Sequence, residues 1–257
     1  MNSTTIKQMY DEIIAQNYQL DKFGLLSESR EIIINQIKKY SLDLKVNSIF
    51  DFALGTGDTL LILKDIFPDA NLYGIDISQK MLDIAKDRME VTTFHDDVRN
   101  VENYHKSNSI DLILIHFLLA YVEPEIVISA ASKLLKQGGV CSIATSTYDS
   151  FQKLQTLASQ FLSQEQIKLK AKVPDNPDTL DKMLAMLELK SLDTYILKKK
   201  VVFDNFEELY KWGMNSGWLT QYFCELNNDT IQAVSDISGL FPLEDEFQAI
   251  ITLAQKI

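Results

Sequence analysis

From about Asn47 onward, short apolar runs alternate with stretches in which apolar positions recur every three or four residues, the pattern of a parallel sheet joined by crossover helices. The runs are Ser48 to Leu54, Asn71 to Ile75, Val91 to His95, Ile110 to Ile115 and Val140 to Thr145. Each is almost continuously apolar, as strands covered on both faces require. Between them, Ser78 is a good N-cap for a helix with Met81, Leu82, Ala85 and Met89 on one face. A later helix starts with Pro124, carries Val127, Ala130, Ala131 and Leu134 on one stripe, and is predicted to stop at Gly138-Gly139. The first 44 residues read as two helices, one with Ile6, Met9, Tyr10, Ile13 and Ile14, the other with Ile33, Ile34 and Ile37.

After Thr147 the rhythm changes. A helix is predicted from Tyr148 to Ser163, then a polar stretch, then the breaker Val173-Pro174-Asp175-Asn176-Pro177, then a short helix with Leu180, Met183, Leu184 and Leu187. This reads as an insertion and a candidate lid. The sheet resumes at Thr194 to Phe203, where Lys198-Lys199-Lys200 suits a guarded edge strand. A final strand, with Phe247, Ala249, Ile251 and Leu253 alternating, is expected to pair antiparallel. The division is thus a helical cap (1–44), a core (45–147), an insertion (148–192) and the completion of the sheet (193–257).

The 257 residues suffice for a large core. With 25 Lys plus Arg against 36 Asp plus Glu, the net charge of −11 repels nucleic acid at long range. Only Arg30, Arg88 and Arg99 are arginines, which disfavours a polyanionic substrate. The most apolar stretch, Leu112 to Val122, is half a membrane span and is interrupted by His116. Met1 to Gln8 shows no secretory h-region. Cys141 and Cys224 read as reduced core thiols, and with His95, His105 and His116 they form no metal-ligand spacing. A cytoplasmic protein with no metal, membrane or nucleic-acid partner is expected.

The strongest chemical signal is Asp51-Phe52-Ala53-Leu54-Gly55-Thr56-Gly57-Asp58, where an apolar strand runs into a glycine turn and then a helix. Such a turn lets a ligand approach the backbone beside a helix N-terminus. A dinucleotide fingerprint wants a third glycine where Leu60 stands, which argues against a dehydrogenase. Asp76 ends the second strand, where a carboxylate can accept both hydroxyls of a ribose, and Asp97 follows the third. Three carboxylates at successive strand ends converge on one crevice. His116 ends the fourth strand and is a candidate general base, with core packing an equal alternative.

Taken in order, these residues resemble a class I S-adenosylmethionine-dependent methyltransferase. Its first motif, acidic-x-Gly-x-Gly-x-Gly, stands here as Asp51-x-Ala53-x-Gly55-x-Gly57, with Ala53 departing from the first glycine. Gly74-Ile75-Asp76-Ile77-Ser78 with Met81-Leu82 matches the ribose segment, Asp97-Val98 the adenine segment, Ser109 to Ile113 the fourth strand, and Leu134 to Gly139 the approach to the fifth. The resemblance implies an α/β Rossmann-like fold: a seven-stranded sheet, mostly parallel with an antiparallel last strand, helices on both faces and helical caps. It implies S-adenosyl-L-methionine as cofactor, held by Asp51, Ala53, Gly55, Gly57, Asp76, Ile77, Met81, Asp97, Val98 and His116, and a small-molecule methyl acceptor. His116, Tyr10 and Tyr18 are the candidate catalytic residues.

Phe206 to Leu226 resembles the segment after the sixth strand in trans-aconitate and malonyl-carrier-protein methyltransferases, which points to a carboxylate or hydroxyl acceptor. Trp212 and Trp218 belong to this segment, with burial in the core as the alternative. In-line transfer from a sulfonium needs alignment and water exclusion, worth about 7 to 11 kcal/mol, rather than a covalent nucleophile. An enzyme that modifies the cofactor itself and a non-catalytic binding protein remain alternatives.

Overall fold

The computed structural model describes residues 3–18, 20–41, 45–160, 173–219, 223, 228–235, 237 and 239–257. Seven strands form one sheet in the order β3-β2-β1-β4-β5-β7-β6. They are β1 (Ser48–Asp51), β2 (Asn71–Asp76), β3 (Thr92–His95), β4 (Ile110–His116), β5 (Leu135–Ser146), β6 (Leu189–Phe203) and β7 (Leu243–Lys256). The first five are parallel, and β7 runs antiparallel to both β5 and β6. This is the Rossmann-like sheet with an antiparallel last strand.

The continuous apolar runs divide between two faces. In β4, Leu112 and Leu114 enter one core while Ile113 and Ile115 enter the other. The first face packs α2 (Leu25–Ser41), α3 (Asp58–Ile66), α4 (Gln79–Arg88) and α8 (Phe206–Ser216); the second packs α5 (Pro124–Leu134) and α7 (Pro177–Met186). Two further helices are α6 (Gln152–Ser159) and α9 (Asn228–Ser235). At the end of the sheet away from the glycine turn, Asp111 ties three strands together. It accepts from Ser48 Oγ at 2.8 Å and from Asn47 N at 3.1 Å, and it pairs with Lys136 at 2.7 Å. That pairing holds its carboxyl below the usual range. The opposite end of the sheet is left open for a ligand.

The N-terminal cap begins with α1 (Ser3–Met9), continues through a π-helical turn at Tyr10–Ile14, and ends with Ala15–Asn17. Met9, Ile14 and Ala15 form a small core with Met81 of α4. Asp11 fastens this cap: its Oδ1 accepts from Ser78 Oγ at 2.5 Å and from Lys80 N at 3.3 Å. Ser78 Oγ in turn accepts from Met81 N at 3.2 Å, so one hydroxyl caps α4 and holds the segment above it. The negative side chain sits where the N-terminal end of the helix dipole favours it.

Several boundaries differ from the sequence reading. The helix from Pro124 ends at Leu134 rather than at Gly138-Gly139, because Leu135 is already extended and pairs with Ile110 of β4. The glycines fall inside β5, where the register with β4 shifts. β6 begins at Leu189, five residues before Thr194, since Leu189 to Asp193 pair with the end of β7. The predicted helix from Tyr148 narrows to Gln152–Ser159 in its described part. Residues 161–172 of the expected lid and Cys224 lie outside the described residues. The described α7 packs on β6 through Leu180 and Leu184, on the face away from α2 and α3. β6 is an edge strand as its lysines suggested, and Lys199 is bound to Glu28 of α2. Among the described residues, no helix is long and apolar enough to cross a membrane.

Candidate active site

β1 ends at Asp51, and the chain turns through Ala53, Gly55 and Gly57 into α3. Two glycines take left-handed backbone there for different reasons. A Cβ on Gly55 (φ 53°) would meet Tyr18 Cε1 at 3.8 Å and Ala53 O at 4.0 Å, ordinary contacts that leave its bare edge uncrowded. A Cβ on Gly57 (φ 76°) would lie 2.5 Å from Met89 Cε, so this glycine lets α4 pack closely. The next strand delivers Asp76 beside the turn. Its Oδ2 accepts from Gly55 N at 2.8 Å and its Oδ1 from Ser78 N at 2.9 Å. Burial raises the Asp76 carboxyl, and the two backbone donors oppose the rise. The carboxylate thus joins the glycine turn to the start of α4 across one cleft.

That cleft spans about 790 Å³ with its solvent-open mouth included. Ala53, Gly55, Asp76, Ile77, Met81, Asp97, Val98, His116, Tyr10 and Tyr18 all line it, which brings together ten of the residues singled out from the sequence. Asp51 and Gly57 line an adjoining inner chamber that shares Tyr18, Ala53, His116 and Phe117 with the cleft. Asp51 is only 4% exposed, accepts from Ala53 N at 3.2 Å, and is pushed up to about 7 by burial. Asp97 caps a short 3-10 turn, accepting from Arg99 N at 3.0 Å and pairing with the Arg99 guanidinium at 2.7 Å. Arg99 also reaches Glu123 at 3.5 Å.

His116 Nε2 shares a hydrogen bond of 3.0 Å with Ser142 Oγ. Burial, helped by the Arg30 charge, pushes the imidazole down to about 3, so it is neutral throughout the physiological range. A base so weak is poorly matched to proton abstraction near pH 7, which favours packing and orientation over general-base work. Tyr10, Tyr18 and Tyr121 are all raised, mainly by burial, and stay protonated. Trp212 packs against Phe23, Phe151 and Phe203 in the core, whereas Trp218 borders the cavities.

The fold also brings in residues that the sequence reading passed over. Arg30 of α2 lines the inner chamber with Asp58 3.7 Å away, and its buried Nε has no partner among the described residues. Asp58 itself pairs with Arg88 at 2.7 Å and accepts from Thr56 Oγ1 at 2.7 Å. Phe117 follows β4 in left-handed backbone (φ 54°), a costly position for an aromatic residue, and donates its N–H to Ala144 O at 2.6 Å. Arginine scarcity was the available signal for Arg30. For Phe117 the sequence carried none.

The family described as "Methyltransferase domain" matches residues 49–139, the stretch from β1 through the glycines of β5. The match spans about a third of the chain and takes in the glycine turn, Asp76 and His116. The chain is 31% identical over 115 residues to a demethylmenaquinone methyltransferase of Thermotoga maritima, covering 43% of the chain and 47% of that protein. It is 35% identical over 91 residues to malonyl-[acyl-carrier protein] O-methyltransferase 2 of Coxiella burnetii, covering 34% and 36%. The aligned segments therefore span half or less of these relatives. In fold, a geranyl diphosphate C-methyltransferase from Streptomyces coelicolor, solved with Mg2+, geranyl diphosphate and S-adenosyl-L-homocysteine, superposes with a TM-score of 0.56. It has 14% identity and covers 91% of this chain and 80% of that one. A methyltransferase structure from Bacillus halodurans gives a TM-score of 0.62 at 14% identity, over 88% and 99%.

Proposed function

We propose that the protein transfers a methyl group from S-adenosyl-L-methionine to a small-molecule acceptor, binding the cofactor along the cleft and inner chamber. The observation that carries this reading is the Asp76 carboxylate, tied to Gly55 on one side and Ser78 on the other, on a cleft whose floor is the bare backbone edge of Gly55. The donor set suits the group. Asp76 would accept the ribose hydroxyls, and Asp97 with Val98 would face the adenine. Arg30, with its unpartnered Nε, would meet the methionine carboxylate, near Asp51 and Gly57. When bound, the cofactor supplies a sulfonium methyl whose S–C electron pair stays with sulfur as the methyl passes to the acceptor's lone pair.

The protein's own contribution is alignment and exclusion of water. The cap residues Tyr10 and Tyr18 roof the cleft, and His116 braces its back wall as a neutral ring. Of the candidate catalytic residues, His116 is a positioning group, while Tyr10 and Tyr18 face the reacting centre.

Calorimetric titration with S-adenosyl-L-homocysteine tests the reading. Binding by the wild type, with a loss of roughly a hundredfold in Asp76→Ala and a comparable loss in Arg30→Ala, is the expected result. A folded wild-type protein that takes up no S-adenosyl-L-homocysteine would overturn it.

A further inference from the structure

Beside the cleft lies an outer chamber, about 550 Å³ with its solvent-open mouth included, walled by five aromatic rings: Tyr10, Tyr18, Phe117, Tyr121 and Trp218. Besides the tyrosines, its polar side chains are Thr145, Ser146 and Ser216, and among the described residues no Lys, Arg, Asp or Glu borders it. An anion entering such a chamber loses its water and finds no cationic side chain among the described lining residues, whereas an uncharged flat molecule gains ring contacts on several sides.

Two details orient the guest. Tyr18 and Phe117 line the outer chamber, the cleft and the inner chamber alike, so the three spaces meet between these two rings. Above that junction, Tyr121 Oη donates to Gly217 O at 3.1 Å, and Tyr10 Oη donates to Tyr121 Oη at 3.2 Å. The Tyr10 proton is therefore committed. What its oxygen still offers a guest is lone pairs, so it selects a hydrogen-bond donor.

We infer that the outer chamber receives an uncharged, planar, hydroxylated ring of the phenol class, whose hydroxyl donates to Tyr10 Oη and takes the methyl group. The inference rests on the methyltransferase reading and narrows it, choosing a hydroxyl over a carboxylate. In the transfer the hydroxyl oxygen's lone pair forms the new O–C bond, the S–C pair remains with sulfur, and the hydroxyl proton, held at Tyr10 Oη while the O–C bond forms, is then released to solvent.

The test uses two-ring probes of equal shape and different charge, 2-naphthol and 2-naphthoate, titrated calorimetrically into protein saturated with S-adenosyl-L-homocysteine. The neutral probe should bind at least about tenfold more tightly than the anion, because the anion is desolvated without a partner. Tyr10→Phe, itself saturated with S-adenosyl-L-homocysteine, should bind 2-naphthol about five- to tenfold more weakly than the wild type, since one hydrogen-bond acceptor is lost. Ser146→Lys, which puts a cation on the chamber wall, should turn the preference toward 2-naphthoate. Equal or tighter binding of 2-naphthoate by the wild type overturns the inference, as does absence of 2-naphthol binding to the loaded protein. If S-adenosyl-L-homocysteine itself fails to bind, the underlying methyltransferase reading falls instead.

Discussion

Lowering the pH from 6.5 to 4.5 adds a proton to His116 in the unfolded chain and leaves the folded imidazole bare, because its folded value lies at about 3. The unfolded state then binds the extra proton, so stability falls as pH falls, by about 1.4 kcal/mol per pH unit once the unfolded ring is charged. Over this window the loss is about 2 kcal/mol, reduced somewhat by water in the cleft. Asp51 does the reverse. Its folded value of about 7 means that the folded carboxyl takes up a proton near neutrality that the unfolded carboxylate, near 3.9, does not. Folding is thereby favoured by a similar amount as pH falls through the same window.

In the wild type these two contributions nearly cancel, so the perturbation must be resolved by substitution. Urea denaturation followed by circular dichroism at pH 4.5, 5.5 and 6.5 gives the comparison. His116→Gln should gain about 2 kcal/mol relative to wild type on acidification, and Asp51→Asn should lose about as much. The surface carboxylates contribute to all three proteins and drop out of the difference. If His116→Gln follows the wild-type pH dependence within error, the imidazole is not held neutral, and a role in proton transfer regains force.

Other consequences follow from the same geometry. Gly57→Ala should cost more stability than Gly55→Ala, because its methyl crowds both Met89 Cε at 2.5 Å and Ala85 Cβ at 3.3 Å, whereas a methyl on Gly55 meets nothing nearer than 3.8 Å; thermal melts of the two variants decide it. Gly55→Ala should nevertheless weaken S-adenosyl-L-homocysteine, measured by calorimetry, since the added methyl occupies the approach to the backbone. Ser78→Ala should lose about 1 kcal/mol of stability as an N-cap and expose the first 18 residues to limited proteolysis, because Asp11 loses its hydroxyl donor. An unchanged digestion pattern would mean that Asp11 does not hold the cap.

Most of the sheet was legible because strands covered on both faces must be apolar at nearly every position, and Ile110 to Ile115 or Ser48 to Asp51 have no other use for that pattern. The glycine turn and Asp76 were legible because the backbone conformation and the strand-end carboxylate are local features. Leu189 to Asp193 escaped notice because an edge strand beside β7 tolerates Lys190 and Asp193, leaving no apolar run to read. Leu134 and Leu135 have the same composition, and only pairing with Ile110 turns the second into strand. Arg30 sits on a helix among Ser29 and Glu31, where a charge usually means solvent; its place beside the glycine turn is a product of α2 crossing the sheet. The weakness of His116 as a base was hidden for the same reason, since burial comes from tertiary packing.

The π-helical turn at Tyr10–Ile14 sets the phase of the cap. In an uninterrupted α-helix the eight residues from Tyr10 to Tyr18 would turn about 80° beyond whole revolutions, placing the two rings on different faces. A π turn absorbs one residue, so the step counts as seven and the mismatch shrinks to about 20° in the other sense. One additional residue thus acts as a phase shifter that turns both phenols toward the same cavity. Deleting Glu12 would restore ordinary periodicity and rotate everything ahead of it, Tyr10 and Ile6 included, by about 100° away from Tyr18. The roof of the chamber is encoded by residue count as much as by residue type, and a chain one residue shorter here would present a different acceptor surface on the same sheet.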